Sequence, residues 1–129
     1  MNSFNFEPLA LPAPSAGLRR EVREFLREEL AGMTPRQRAH TWQGFDAGFS
    51  RKLGEKGWIG MTWPREYGGQ ERSVLERYVL LEELLAAGAP VAAHWIADRQ
   101  SGTLLLRFGR EEVRRRYLPA MARGELFCC

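Results

Sequence analysis

The stretch GWIGMTWPREYGG, Gly57 to Gly69, decides how this chain is read. From Trp58 on it holds two tryptophans, a tyrosine, a methionine and a proline, with three glycines and no helical period. Large rings anchor a loop to a core, and glycines serve where the backbone turns sharply. The segment therefore predicts an ordered, buried loop. Rings spaced through a loop pin it in place more often than they form a binding surface, so Trp58, Met61, Trp63 and Tyr67 are expected inside.

Toward the N-terminus the pattern changes to helical. Phe45, Phe49 and Leu53 form one stripe of a helix expected from about Phe45 to Lys56, with Gly57 where a left-handed cap is needed. The stretch from Arg36 to Trp42 is ambiguous between a loop and a frayed turn. Before it, Leu18, Val22, Phe25, Leu26 and Leu30 recur at i, i+4, i+7, i+8, with arginines and glutamates filling the other face. Gly32 ends that helix and Pro35 prevents its resumption. Residues 1–17 carry three prolines and few charges, and read as an extended leader.

On the C-terminal side, Ser73-Val-Leu-Glu76 is a capping box opening a strongly apolar helix with Leu75, Tyr78, Val79, Leu81, Leu84 and Leu85. Gly88 and Pro90 close it. A fourth helix runs from Val91 to Phe108, with Gly102 as a break or kink and Gly109 as the cap. Glu111 and Glu112 then suit the start of a fifth helix, and Arg114 to Arg116 its later turns. Pro119 is expected to interrupt that helix, leaving a weak sixth turn before Gly124. The apolar tail Leu126-Phe-Cys-Cys129 reads as the opening of a strand. The expected fold is all-α, with five or six helices.

The chain has 129 residues, 44% hydrophobic and 27% charged, which suits one soluble domain rather than a disordered segment. The formal net charge is +3, from 19 Lys+Arg against 16 Asp+Glu. No apolar run reaches the roughly 18 residues of a membrane span. The N-terminus lacks a signal-peptide layout, so the cytoplasm is the expected compartment. Cys128 and Cys129 are adjacent, which is neither a disulfide framework nor a metal-ligand spacing. His40 and His94 stand alone, so no metal site is expected. Ser73, His94 and Asp98 supply the letters of a triad without a nucleophile elbow. The glycines match neither a dinucleotide fingerprint nor a P-loop. Arginines 114 to 116 read as a solvated face paired with Glu111 and Glu112, in preference to a nucleic-acid patch. His94, Trp95 and Asp98, on one turn of an apolar helix, fit either a helix end near the surface or a ligand-facing wall.

Taken in order, several motifs resemble the N-terminal helical domain of acyl-CoA dehydrogenases. They are the 57–69 stretch, the helix centred on Leu80-Leu-Glu-Glu-Leu84, and the Gly-Ala-Pro turn at 88–90. Leu105-Leu-Arg-Phe-Gly109, Glu111-Glu112, Tyr117-Leu-Pro119 and Ala122-Arg-Gly-Glu125 follow. The resemblance covers residues 18–125 as the domain and treats 126–129 as the start of a β-domain strand. Arg110 departs from it, because the family usually has Thr or Ser there to cap the next helix.

The resemblance implies an FAD-dependent oxidoreductase that converts an acyl-CoA thioester to its trans-2-enoyl form in fatty-acid catabolism. It places the catalytic glutamate and the flavin contacts beyond Cys129, so no acid here is expected to be catalytic and this chain is expected neither to bind FAD nor to act alone. What it implies for these residues is one wall of the acyl pocket. Ala93, Ile96 and Gln100 share a helix face by i, i+3, i+7 spacing, with Trp95 beside them limiting depth and His94 with Asp98 as a polar rim. The partners implied are acyl-CoA and the missing β- and C-terminal domains, or a partner acyl-CoA dehydrogenase chain. A second reading is a non-catalytic helical interaction subunit that docks on a partner chain. A third, weaker one is an Arg-rich nucleic-acid binder.

Overall fold

The computed structural model describes residues 10–128; of the extended leader expected over residues 1–17, residues 1–9 lie outside them, and residues 13–17 are helical instead. Helix α1 spans Ala13–Glu29, α2 Pro35–Ala39, α3 Ala47–Glu55 and α4 Val74–Ala86. Helix α5, Ala92–Ile96, passes through a π turn, Ala97–Ser101, into α6, Gly102–Phe108, and these make one rod. Helix α7 spans Glu111–Ala122. With the rod counted once there are six helices, and no strand forms among the described residues. The all-α expectation holds.

Three boundaries differ from the sequence reading. First, α1 begins at Ala13 rather than Leu18, since Pro12 caps it and Pro14 sits in its first turn, where a missing N–H costs nothing. Second, Arg36 belongs to a one-turn helix, α2, whose Thr34 and Gln37 form a reciprocal capping box. The sequence signal was Thr34-Pro-Arg-Gln37, a cap followed by proline at N1. Third, α7 continues through Pro119 to Ala122. Leu118, Met121 and Ala122 are all buried there, and that packing outweighs the lost backbone hydrogen bond.

Helix α1 buries Leu18, Val22, Leu26 and Leu30 along one stripe. It lies beside α4, running in the same direction: Arg19 pairs with Glu82, Arg23 pairs with Glu83, and Leu26 lines one groove with Ala86 and Ala87. The Arg23 guanidinium meets both oxygens of the buried Glu83 carboxylate, at 2.8 and 2.9 Å. Such a two-pronged pair holds the helices in register more than it stabilises them. The first core joins the α1 stripe to Phe49, Leu53, Trp58, Ile59, Met61, Leu80 and Leu84. Phe25 bridges its rings, 5.8 Å from Phe49 and edge-on to Trp58 at 5.1 Å.

A second core gathers Trp63, Tyr67, Ala97, Leu118, Met121 and Ala122. The 57–69 loop spans both cores, sending Trp58 and Met61 into one and Trp63 and Tyr67 into the other. Its rings pin the molecule together, as expected from the sequence. Residues 125–128 have no regular structure, and Leu126 and Cys128 pack against the second core. A single segment has no ladder partner with which to become a strand.

Candidate substrate wall and docking face

The rod 92–108 is held at its start by the chain before α3. The Val91 and Ala92 N–H groups donate to the carbonyls of Thr41 (3.3 Å) and Gly44 (3.1 Å), and the Thr41 hydroxyl donates to Ala89 O. This clasp delivers Trp42 to the rod, where its ring stands edge-on to Trp95 at 4.3 Å. The Arg99 guanidinium lies 5.2 Å from the centre of the Trp95 ring. Phe45 does not join the α3 stripe. It precedes the Asp46 N-cap, is 63% exposed, and meets Phe127 edge-on at 5.3 Å.

Two polar side chains on the rod point inward. Ser50 Oγ lies 2.8 Å from His94 Nδ1, and Asp98 accepts the Gly60 N–H at 2.8 Å with Arg77 at 3.6 Å. Both residues are buried, so they tie the rod to α3 and to the 57–69 loop. The expected polar rim is corrected on this point. Burial pushes the His94 pKa down to about 4. It pushes the Asp98 carboxyl up, against the opposing pull of Arg77 and the Gly60 N–H.

The π turn coincides with the place where Trp63 packs against the rod. A Cβ on Gly102 would overlap the Trp63 indole, as would one on Gly60, whose φ of +61° also suits glycine. Widened turns of this kind occur often at functional sites. Of the four residues expected to line an acyl wall, Ala93 is buried within the chain, Trp95 and Ile96 are half-buried, and Gln100 is exposed. Trp42 is the neighbour of Trp95 that the sequence reading missed, and only the tertiary structure reveals it.

The groove between α1 and α3 does not suit a flavin dinucleotide. This groove, of about 490 Å³, is lined by Glu21, Glu24, Glu28, Glu29 and Glu55 against Lys52 and Lys56, a charge balance that opposes a pyrophosphate. A second groove of about 480 Å³, near Met33, Arg36, His40 and Phe45, brings one arginine and the Asp46 carboxylate. Among the described residues no group of three or more His, Cys, Asp or Glu side chains is arranged to hold a metal. No described helix is long and apolar enough to cross a membrane.

A six-helix domain with a two-core loop and an interrupted rod defines the class, and comparison with known proteins supplies the family. Residues 15–125 match the acyl-CoA dehydrogenase N-terminal domain. The chain belongs to the acyl-CoA dehydrogenase family through this domain. It is 35% identical over 75 residues to acyl-CoA dehydrogenase FadE26 of Mycobacterium tuberculosis, covering 58% of this chain and 18% of that protein. Among solved structures, it superposes on the Tcur3481-Tcur3483 steroid ACAD with a TM-score of 0.74 and 33% identity, covering 94% of this chain and 32% of that one. The ChsE4-ChsE5 complex from Mycobacterium tuberculosis gives a TM-score of 0.74 and 30% identity, covering 93% and 30%. The chain thus spans less than a third of the length of each.

Proposed function

We propose that this chain is the N-terminal helical wall of an FAD-dependent acyl-CoA dehydrogenase that desaturates acyl-CoA thioesters in fatty-acid catabolism in the cytoplasm. In this reading the helical domain begins with α1 and runs to residue 125, and 126–129 open the first strand of a β-domain. The wall is the rod segment carrying Ala93, Trp95, Ile96 and Gln100, packed on a flavin-binding core supplied by other polypeptide. The observation that carries the reading is the family match over residues 15–125. The acidic lining of the α1–α3 groove disfavours a flavin pyrophosphate there. No residue here acts as the base.

The test is absorbance and turnover of the 129-residue protein expressed with excess FAD. A colourless protein that fails to reduce an artificial electron acceptor with any acyl-CoA is the expected result. A co-eluting flavin band, or turnover, overturns it.

The second reading is a non-catalytic subunit docking on a partner chain. It draws support from one similar structure being a two-component complex. The chain would then co-purify stoichiometrically with a complete dehydrogenase whose activity does not need it.

A further inference from the structure

We propose that the groove between α2 and the start of α3 binds an apolar α-amino acid as its zwitterion, with the carboxylate at Arg36 and the ammonium at Asp46. The dehydrogenase reading assigns no ligand there, and the inference does not depend on that reading. The groove has a volume of about 480 Å³, within the range of small-molecule sites. Its floor is apolar: Pro90 is buried, Met33 is half-buried, and the exposed Phe45 ring forms one side. Gly44 closes the floor against Pro90, since a Cβ there would come within 3.1 Å of Pro90 Cβ. The backbone fixes this frame. The Gln43 and Gly44 N–H groups both donate to His40 O, at 2.9 and 2.7 Å, and Gly44 O accepts the Ala92 N–H at 3.1 Å. The turn joining α2 to α3 is thereby tied to the rod, so a ligand meets a site that is already ordered.

Charge selects the ligand. Arg36 and His40, one turn apart, line the groove together with Asp46. Among the described residues neither the Arg36 guanidinium nor the His40 ring is held by an ion pair or a hydrogen bond. Asp46 caps α3 through Oδ1, which accepts the Phe49 N–H at 2.9 Å, and its second oxygen has no such partner. The opposite charges thus line one groove without pairing with each other. A lone carboxylate placed there would also meet Asp46, and a lone ammonium would also meet Arg36, so each is opposed at one end. An α-amino acid answers both charges and leaves its side chain for the floor. The planar guanidinium suits a carboxylate. Gln37 adds a donor, because its amide oxygen is taken by Thr34 while its NH₂ group is left over.

The test uses the full 129-residue protein and three probes that share a phenyl ring and differ in charge: L-phenylalanine, phenylpropanoate and phenylethylamine. Proton NMR of the imidazole rings reads the titration. L-phenylalanine should shift the His40 signals, leave those of buried His94 in place, and bind at least about tenfold tighter than either singly charged probe. Arg36→Gln and Asp46→Asn should each weaken it by about tenfold or more. Arg36 is exposed and asparagine still caps a helix, so both variants keep the fold, which circular dichroism checks. No saturable binding of L-phenylalanine, equal binding of the three probes, tighter binding of phenylpropanoate, or an affinity unmoved in both variants overturns the proposal. Flavin absorbance and turnover are not read in this experiment, so this inference and the functional reading fail separately.

Discussion

Ser50 Oγ, on α3, lies 2.8 Å from His94 Nδ1, on the rod, and both residues are buried. The same hydroxyl donates to Asp46 O at 3.0 Å. A serine has one proton to give, so His94 Nδ1 carries the proton of the second contact and the ring is a neutral donor. The contact sews α3 to the rod, and burial of the ring keeps the imidazole neutral.

That relationship makes stability depend on pH. The folded pKa of His94 is about 4, against an ordinary value of 6.5. Its contribution is complete above pH 6.5, where neither state is protonated. It falls as pH drops below 6.5, because the unfolded chain then binds the proton and the folded one does not, and the loss is complete near pH 4. The shift corresponds to about 3 kcal/mol. Asp98 acts in the opposite sense, since its raised folded pKa favours the folded state as pH falls through the carboxylate range. Urea denaturation from pH 8 to pH 4 should therefore show a loss of stability between 6.5 and 5 that His94→Gln largely removes. An unchanged pH profile in His94→Gln would count against the buried neutral ring.

Asp98→Ala should destabilise the domain by about 2–3 kcal/mol, because it strips the Gly60 N–H of its acceptor and leaves Arg77 facing a void. Asp98→Asn retains an acceptor oxygen and should cost about half as much. Thermal melts of the two variants order them, and an alanine variant as stable as the asparagine one contradicts the role given to the Gly60 contact.

Gly102→Ala places a methyl group in the Trp63 indole. Overpacking of this kind costs about 1–3 kcal/mol. The same substitution in a Trp63→Leu background should cost much less, so a double-mutant cycle by denaturant melts should show coupling above about 1 kcal/mol. Additive effects would mean that the rod is not held by this contact.

Ser73→Ala should cost about 1 kcal/mol by removing the α4 cap, in which Ser73 Oγ accepts from the Glu76 N–H and Glu76 accepts in return. The capped carboxyl lies below its ordinary range, chiefly through the Ser73 N–H. Circular dichroism at rising temperature reads the loss, and no change in midpoint would place the cap outside the folding unit.

Much of this molecule was legible along the chain. The capping box at Ser73, the left-handed Gly57, the helix stop at Gly88, the α1 stripe and the ring-anchored loop are set by residues within a few positions of one another. Local sterics and hydrogen bonding decide such features before any tertiary contact forms. The α7 boundary was misread because Pro119 obeys a local rule that burial of Leu118, Met121 and Ala122 overrode.

The site was less legible. Ile96 and Gln100 share the rod's outward side, but nothing near residue 95 announces that Trp42 will stand over it, 53 positions away. Nor do His94 and Asp98 reveal that they face inward, since their partners Ser50, Gly60 and Arg77 come from three other segments. The sequence alone determined helix period, caps, loop anchors and family, all written in short-range pattern and order. Only the tertiary structure decided which polar groups are buried, because burial depends on what distant segments bring to face them.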